Sequence, residues 1–332
     1  MTEEYSVWNG SKLEVEDTDY LPTVPVSSES DELYENVNHN GSRRSSSLQA
    51  EMEELRILLL GRRGGGKSST GNTILGFHAF NTDMQLTRVT QFCEKMVGNI
   101  DGKPVAVIDT PGLNKTKRME KDVIRDILKS VSLYKPGPHV FLLVLPVGNL
   151  TNEDKDMHKM IENIFGRSIW MYTIVIFTHG DRLEGKMPND VIASSDKDLR
   201  HFIRKCSGGF LFFNNKNAEN REQVIKLLEK IETLVAINGR SCYTSALYPS
   251  SEKKIRERQE KILEERQEDI LRKERELAEN YEDEEELEKK KRELWREEEE
   301  TARRLAENQQ KHKVNLVRTQ SFSTLKLAVI RK

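Results

Sequence analysis

Leu55-Arg56-Ile57-Leu58-Leu59-Leu60 runs straight into Gly61-Arg62-Arg63-Gly64-Gly65-Gly66-Lys67-Ser68. The first six residues are a short apolar run closed by glycine, which reads as a strand buried on both faces. The next eight match G-x-x-x-x-G-K-[ST], and a helix-like segment opens at Lys67. Each position has a physical task. Glycines let successive backbone N–H groups converge on a phosphate without Cβ collisions, and Lys67 adds a mobile point charge toward the β- and γ-oxygens. Ser68 is the expected Mg²⁺ ligand, and the start of the helix brings its positive dipole end to the same anion. The stretch therefore predicts nucleotide binding at a strand–helix junction.

Outward from this loop, further apolar runs recur at Pro104–Asp109, His139–Val147, Tyr172–Thr178 and Phe210–Phe213. Helix-like segments lie between them near Lys67–Leu75, Met119–Leu133, Asn152–Phe165, Asn189–Lys205 and Glu219–Ile237. Strands alternating with helices call for an α/β domain, a mostly parallel sheet with helices on both faces. The expected fold class is a P-loop NTPase with a charged C-terminal helix.

The second run ends in Asp109-Thr110-Pro111-Gly112. Asp109 can reach Mg²⁺ through water, and the Gly112 N–H can meet a γ-phosphate whose loss would release the following segment. The strand ending at Thr178 continues into His179-Gly180-Asp181, a degenerate N/T-K-x-D signature. A carboxylate there accepts from both N1–H and the 2-amino group of guanine, donors that adenine lacks in that geometry. Asp181 is thus the expected base-specificity residue, with His179 flanking the base. Asn214 and Asn215 follow the last strand at the carboxyl edge of the sheet, where loops meet ligands.

Composition bounds the rest. The 332 residues carry 53 Lys+Arg against 55 Asp+Glu, a net charge of −2, which excludes a uniformly basic nucleic-acid binder. The balance is a cancellation of about −7 over 1–50, +5 over 51–250, −6 over 251–310 and +6 over 311–332. A charged fraction of 33% is too polar for two packed cores of ordinary size, so one core with extensions is expected. Residues 1–50 are acidic and Ser-rich with aperiodic apolar residues, the signature of a disordered arm. Its Arg43-Arg44-Ser45-Ser46-Ser47, like Arg318-Thr319-Gln320-Ser321 near the other end, has the form of a basophilic kinase substrate.

Residues 251–310 are mostly charged and contain no Gly or Pro, which predicts one continuous helix, either solvated and held by i,i+4 ion pairs or a thin coiled coil. Its apolar register breaks between Leu277 and Leu287. The basic tail 311–332 reads as a frayed terminus that could touch an anionic membrane or a partner. Three widely spaced cysteines, Cys93, Cys206 and Cys242, suggest neither a disulfide framework nor a zinc site, and no secretory or bilayer-spanning segment is recognised. The expected location is cytoplasmic, with peripheral contact to intracellular membranes.

With these residues assembled, the chain resembles the GTPases of the immunity-associated (IMAP, AIG-type) family over about Leu55–Gly239. The likeness rests on Gly61–Ser68 continuing into Ser69-Thr70-Gly71-Asn72-Thr73-Ile74-Leu75-Gly76, on Arg88-Val89-Thr90-Gln91-Phe92-Cys93, and on Asp109-Thr110-Pro111-Gly112-Leu113. It also rests on the box Pro136-Gly137-Pro138-His139-Val140-Phe141-Leu142-Leu143-Val144, on Thr178–Asp181 and on Phe213-Asn214-Asn215. The resemblance implies GTP/GDP and Mg²⁺ as cofactors and a GTP-linked homodimer or homo-oligomer, with heterodimers among family members. It also implies that Thr90 closes on Mg²⁺ and the γ-phosphate, with Thr87 as fallback, and that the role lies in lymphocyte signalling or survival. Thr90 and Gly112 are then the residues expected to act on the γ-phosphate, and Ser68, Thr90 and Asp109 the metal set. Slow hydrolysis is expected for two reasons. Leu113 cannot orient water as the glutamine of small GTPases does, and Asn149 stands where some members look as if they supply an arginine across the dimer. The alternative is a constitutive hydrolase that remodels membranes or partner assemblies, with an arginine such as Arg118 substituting.

Overall fold

The computed structural model describes residues 54–82, 90–113, 117–148 and 151–330, with side chains described to 312 and, in the second helix, from 121 onward. The acidic arm with its serines, Thr87 and Asn149 lie outside the described residues, as do most of the loop that follows Phe80 and the side chains of Arg118 and Ser321.

Among the described residues, six strands form one sheet in the order β2-β3-β1-β4-β5-β6. They are β1 (Leu55–Leu60), β2 (Glu94–Ile100), β3 (Lys103–Asp109), β4 (Val140–Pro146), β5 (Thr173–Thr178) and β6 (Phe210–Phe212). All neighbours pair in parallel except β2, which runs antiparallel to β3. Strand alternation splits the core in two. Leu58 and Leu60 of β1 with Phe141 and Leu143 of β4 face one layer, while Ile57 and Leu59 with Leu142 and Val144 face the other. The first layer is covered by α2 (Lys117–Lys129), α3 (Asn152–Phe165) and α5 (Lys197–Lys205), the second by α1 (Lys67–Leu75) and α6 (Glu222–Ile237). Helices therefore cover both faces of a mostly parallel sheet.

Two local expectations change. β2 was not expected, because Glu94-Lys95-Met96-Val97-Gly98 is weak strand material and the element is half exposed at the sheet edge. Pairing makes it a strand: Ile100 opposes Lys103, leaving Asp101-Gly102 as a two-residue turn with φ of 51° and 81°. Asp-Gly is a hairpin signal, so this strand was readable from its turn. The helix expected over Asn189–Lys205 is two, α4 (Pro188–Ala193) and α5, because Asp196 stops the chain and caps α5 by accepting from the Leu199 N–H at 2.7 Å.

The larger correction concerns the charged segment. In place of one continuous helix, whether solvated or in a thin coiled coil, there are α7 (Ser250–Glu265), α8 (Gln267–Asn280) and α9 (Glu284–Ile330), with α9 running back antiparallel over the first two. The reversal falls at Tyr281–Asp283, inside the stretch where the apolar register breaks, and Asp283 caps α9 through the Glu286 N–H. α9 also takes in the basic segment to Ile330 that was expected to fray. The hairpin's apolar contact is small, with Ile262 against Ala302 and Ala306, so the helix axes approach closely over alanine. Buried charge supplies the rest: Arg303 makes two hydrogen bonds to Glu252 at 2.5 and 2.8 Å, and Glu298 meets Arg266 and Lys273 at 2.7 and 2.6 Å.

The hairpin packs on α2 and its surroundings. Glu299 accepts from the Ser132 N–H and hydroxyl, both at 2.7 Å, and Lys129 lies 3.2 Å from Glu300. The buried Arg256 guanidinium stands over the rings of Tyr134 and Tyr248 at 5.1 and 4.6 Å. Arg296 covers Phe92 at 4.4 Å. The Glu299 and Arg256 contacts are buried, whereas Glu300, Arg296 and Phe92 stay partly exposed, so the first two are the ones that hold a polar segment on a globular body.

Candidate functional site

The site is built at the carboxyl ends of β1, β3, β4 and β5, where an open α/β sheet leaves a crevice. β1 delivers the glycine-rich loop. Gly64 and Gly66 take left-handed φ values of 71° and 91°, so the tight turn into α1 needs residues without Cβ at these points. Gly66 is also the N-cap of α1, which has no side-chain cap, leaving the first-turn N–H groups directed out of the helix. Lys67 is buried, and its Nζ donates to the Arg62 carbonyl at 3.1 Å, folded into the loop it serves.

Asp109, at the end of β3, is almost fully buried. Its Oδ2 accepts from Ser68 Oγ at 2.5 Å and Thr90 Oγ1 at 3.2 Å, and the two hydroxyls are 3.3 Å apart. The backbone N–H of Thr110 holds Oδ1 at 3.0 Å. Burial raises the Asp109 pKa above the usual carboxylate range, while Lys67 and the hydroxyl donors pull it back. The structure thus brings together the three residues expected as the metal set. One carboxylate and two hydroxyls are hard oxygen donors, which suits Mg²⁺. A buried carboxylate with a raised pKa is also a group that a divalent cation would stabilise in its charged form.

Gly112 lies against the loop: a Cβ there would stand 2.5 Å from Arg63 N, and the Leu113 N–H donates to the Gly61 carbonyl at 3.1 Å. The segment bearing Gly112 is therefore stitched to the phosphate loop by backbone.

β5 brings the candidate base-reading loop. Thr178 Oγ1 donates to the Gly65 carbonyl at 3.1 Å, tying this loop to the phosphate loop. His179 takes a left-handed conformation, and its Nδ1 lies 3.1 Å from Thr178 Oγ1. The Gly180 N–H donates to the Phe213 carbonyl at 2.9 Å, so the segments around Asp181 and Asn214 form one ledge. Asp181 is paired with Lys216 at 2.7 Å, and that hydrogen bond lowers its pKa. The carboxylate is thus charged and acceptor-only, as two N–H donors of a base require.

The two asparagines differ. Asn214 shapes the ledge itself, its N–H donating to Gln223 Oε1 at 2.9 Å and its Oδ1 accepting from the Lys216 N–H at 3.0 Å. Asn215 turns toward α1, accepting from Thr73 Oγ1 at 2.9 Å and donating to Thr70 Oγ1 at 3.1 Å. Ser69 follows Ser68 in the first turn of α1, where its carbonyl accepts from Thr73 Oγ1 at 2.9 Å. Lys216 and Gln223 were not singled out in the sequence. Neither belongs to a short motif, and only the folded loop brings them to Asp181 and Asn214.

The profile of the AIG1 family matches residues 55–265. Human GTPase IMAP family member 8 is 36% identical over 197 residues, covering 58% of this chain and 30% of the human protein. Immune-associated nucleotide-binding protein 9 of Arabidopsis thaliana is 33% identical over 237 residues, 69% of this chain and 66% of the plant protein. The matches thus span under a third of the human relative and about two thirds of the plant one. Among solved structures, Toc33 from Arabidopsis thaliana in complex with GDP and Mg²⁺ superposes with a TM-score of 0.43 at 20% identity, covering 56% of this chain and 86% of that one. The family profile takes in the phosphate loop, the Asp109 strand, the Thr178–Asp181 loop and α7 together, and this chain belongs to the AIG1 family.

Proposed function

We propose that the protein is a GTP-binding switch and scaffold of the IMAP type, with slow intrinsic hydrolysis. The observation that carries this reading is the convergence of Ser68, Thr90 and Asp109 beside the N-terminus of α1. Bound Mg²⁺ would neutralise phosphate charge there, and Ser68, Thr90 and Asp109 are the groups that would hold it. The open first turn of α1 and Lys67 bind phosphate oxygens; Asp181 accepts from the guanine edge. Thr90 meets Asp109 at the end of β3, so a change at the γ-phosphate would have a path through Thr90 into the Phe77–Gln91 loop.

Slow hydrolysis has a structural support. Leu113 is buried in the core layer beneath α2, so the residue after Gly112 is used for packing and cannot position water. A GTP-linked homodimer or heterodimer, peripheral contact with intracellular membranes from a cytoplasmic location, and a role in immune cells rest on the family likeness alone.

Calorimetry with Mg²⁺-replete protein tests the reading. Guanine nucleotides should give saturable heat and ATP none, and Asp181→Asn should weaken GTP about 10-fold while gaining xanthosine triphosphate. Absence of heat with GDP and GTP would overturn it. Single-turnover decay near 1 s⁻¹ or faster, without a partner protein, would overturn the slow-hydrolysis part, since about that rate is what an assisted site reaches.

A further inference from the structure

The phosphate loop carries two adjacent arginines, and the fold sends them to different places. Arg62 is a brace. Its guanidinium reaches the first turn of α3, 3.8 Å from Asp154 and 3.9 Å from Glu153. Its carbonyl accepts from the Gly65 N–H at 3.2 Å and from Lys67 Nζ at 3.1 Å.

Arg63 is exposed, and its main chain lies directly on Gly112. A Cβ at Gly112 would stand 2.5, 2.6 and 2.8 Å from Arg63 N, Cα and Cβ. The backbone bond from Leu113 to Gly61 holds that approach from the other end of the loop. Beyond Arg63 the loop is open, with nothing within 4 Å of where a Cβ on Gly64 would sit. The residue whose N–H is assigned to the γ-phosphate therefore has the root of a long, permanently charged side chain against it. That side chain ends in a planar fork of five donors suited to phosphate oxygens.

We propose that Arg63 contacts the γ-phosphate in cis and adds a discriminating contact for GTP over GDP to those of Gly112, Thr90 and Lys67. The proposal rests on the guanine-nucleotide reading above and adds a residue to it. A ligand shifts a protein between states only through interactions it makes in one and not the other. The α- and β-phosphates are common to both nucleotides and are held by the glycine loop, while Lys67 spans the β- and γ-oxygens. A cation rooted beside Gly112 is placed to meet the phosphate that differs. Discrimination then comes from the chain's own loop, without a group from a second protomer.

The test uses the full chain with Mg²⁺, at a concentration low enough to keep it monomeric, and measures Kd for GDP and for a non-hydrolysable GTP analogue. The left-handed positions in this loop are glycines, so position 63 can be changed without backbone strain. Arg63→Gln should leave GDP affinity unchanged and weaken the analogue about 10-fold or more, the loss of one charge-assisted contact. Arg63→Lys should fall between, since a point charge replaces a fork. Equal weakening of both nucleotides, no weakening of either, or tighter binding of the analogue by Arg63→Gln would overturn the proposal. Wild-type protein that binds neither nucleotide would overturn the guanine-nucleotide reading and this proposal with it, a result seen before any variant is compared.

Discussion

Asp109 and Arg303 are both buried charges, one at the candidate nucleotide site and one in the C-terminal hairpin, and their surroundings differ in kind. Asp109 is met by two hydroxyls that converge on one oxygen, and burial raises its pKa. Arg303 is met by both oxygens of Glu252 and by Glu307 at 2.9 Å. The first arrangement gathers hydroxyl donors around a charge that Lys67 favours and that burial still disfavours. The second closes each charge on a protein partner. A ligand site and a structural interface are thus told apart by how completely the protein satisfies the charges it buries.

The sharpest way to break this comparison is to open the closed pair. Arg303→Ala strands the Glu252 carboxylate in the hairpin and should cost about 3–5 kcal/mol, read by urea denaturation, with guanine-nucleotide affinity unchanged. A cost below about 1 kcal/mol would mean the pair behaves as a surface ion pair and the contrast fails. The converse change is Lys67→Ala, which should weaken GDP and GTP about 100-fold or more while leaving the urea midpoint of the nucleotide-free chain in place. Equal loss of folding and binding would show that Lys67 is structural.

A smaller effect separates the two regions by pH. Burial pushes the Glu299 carboxyl up to about 7, against the hydrogen bonds from Ser132 that favour its charged form. Its folded pKa therefore lies above its unfolded value. The contribution of this group to stability is fully present below the unfolded pKa and is lost as pH rises through about 7. Hairpin docking should weaken across that window by no more than about 1.4 kcal/mol per pH unit, and Glu299→Gln should flatten the profile. An identical profile in the variant would assign the dependence to another group.

How far the sequence could be read follows from how local each signal is. Gly61–Ser68, Asp109-Thr110-Pro111-Gly112 and Thr178–Asp181 stood out in the sequence because the chemistry proposed for them needs particular residues at fixed short spacings next to strands, and the structure places those strands in the core. The edge strand β2 was missed because its residues do not alternate cleanly, although its Asp101-Gly102 turn announced it. The pairing of Asp181 with Lys216 and the support of Asn214 by Gln223 join residues 35 and 9 positions apart without any repeating pattern. No periodicity or motif encodes such contacts.

The charged segment marks the boundary most clearly. Residues 251–310 specify helix through composition, and the register break between Leu277 and Leu287 specifies where that helix stops being one piece. That the pieces fold back, and that Glu299, Arg256 and Arg296 find Ser132, Tyr134 and Phe92, was decided by tertiary structure. Helix formation is a property of neighbours along the chain, set by backbone bonds four residues apart. Docking depends on which desolvated charges find partners in three dimensions, and a linear pattern of Glu, Lys and Arg is compatible with many such pairings.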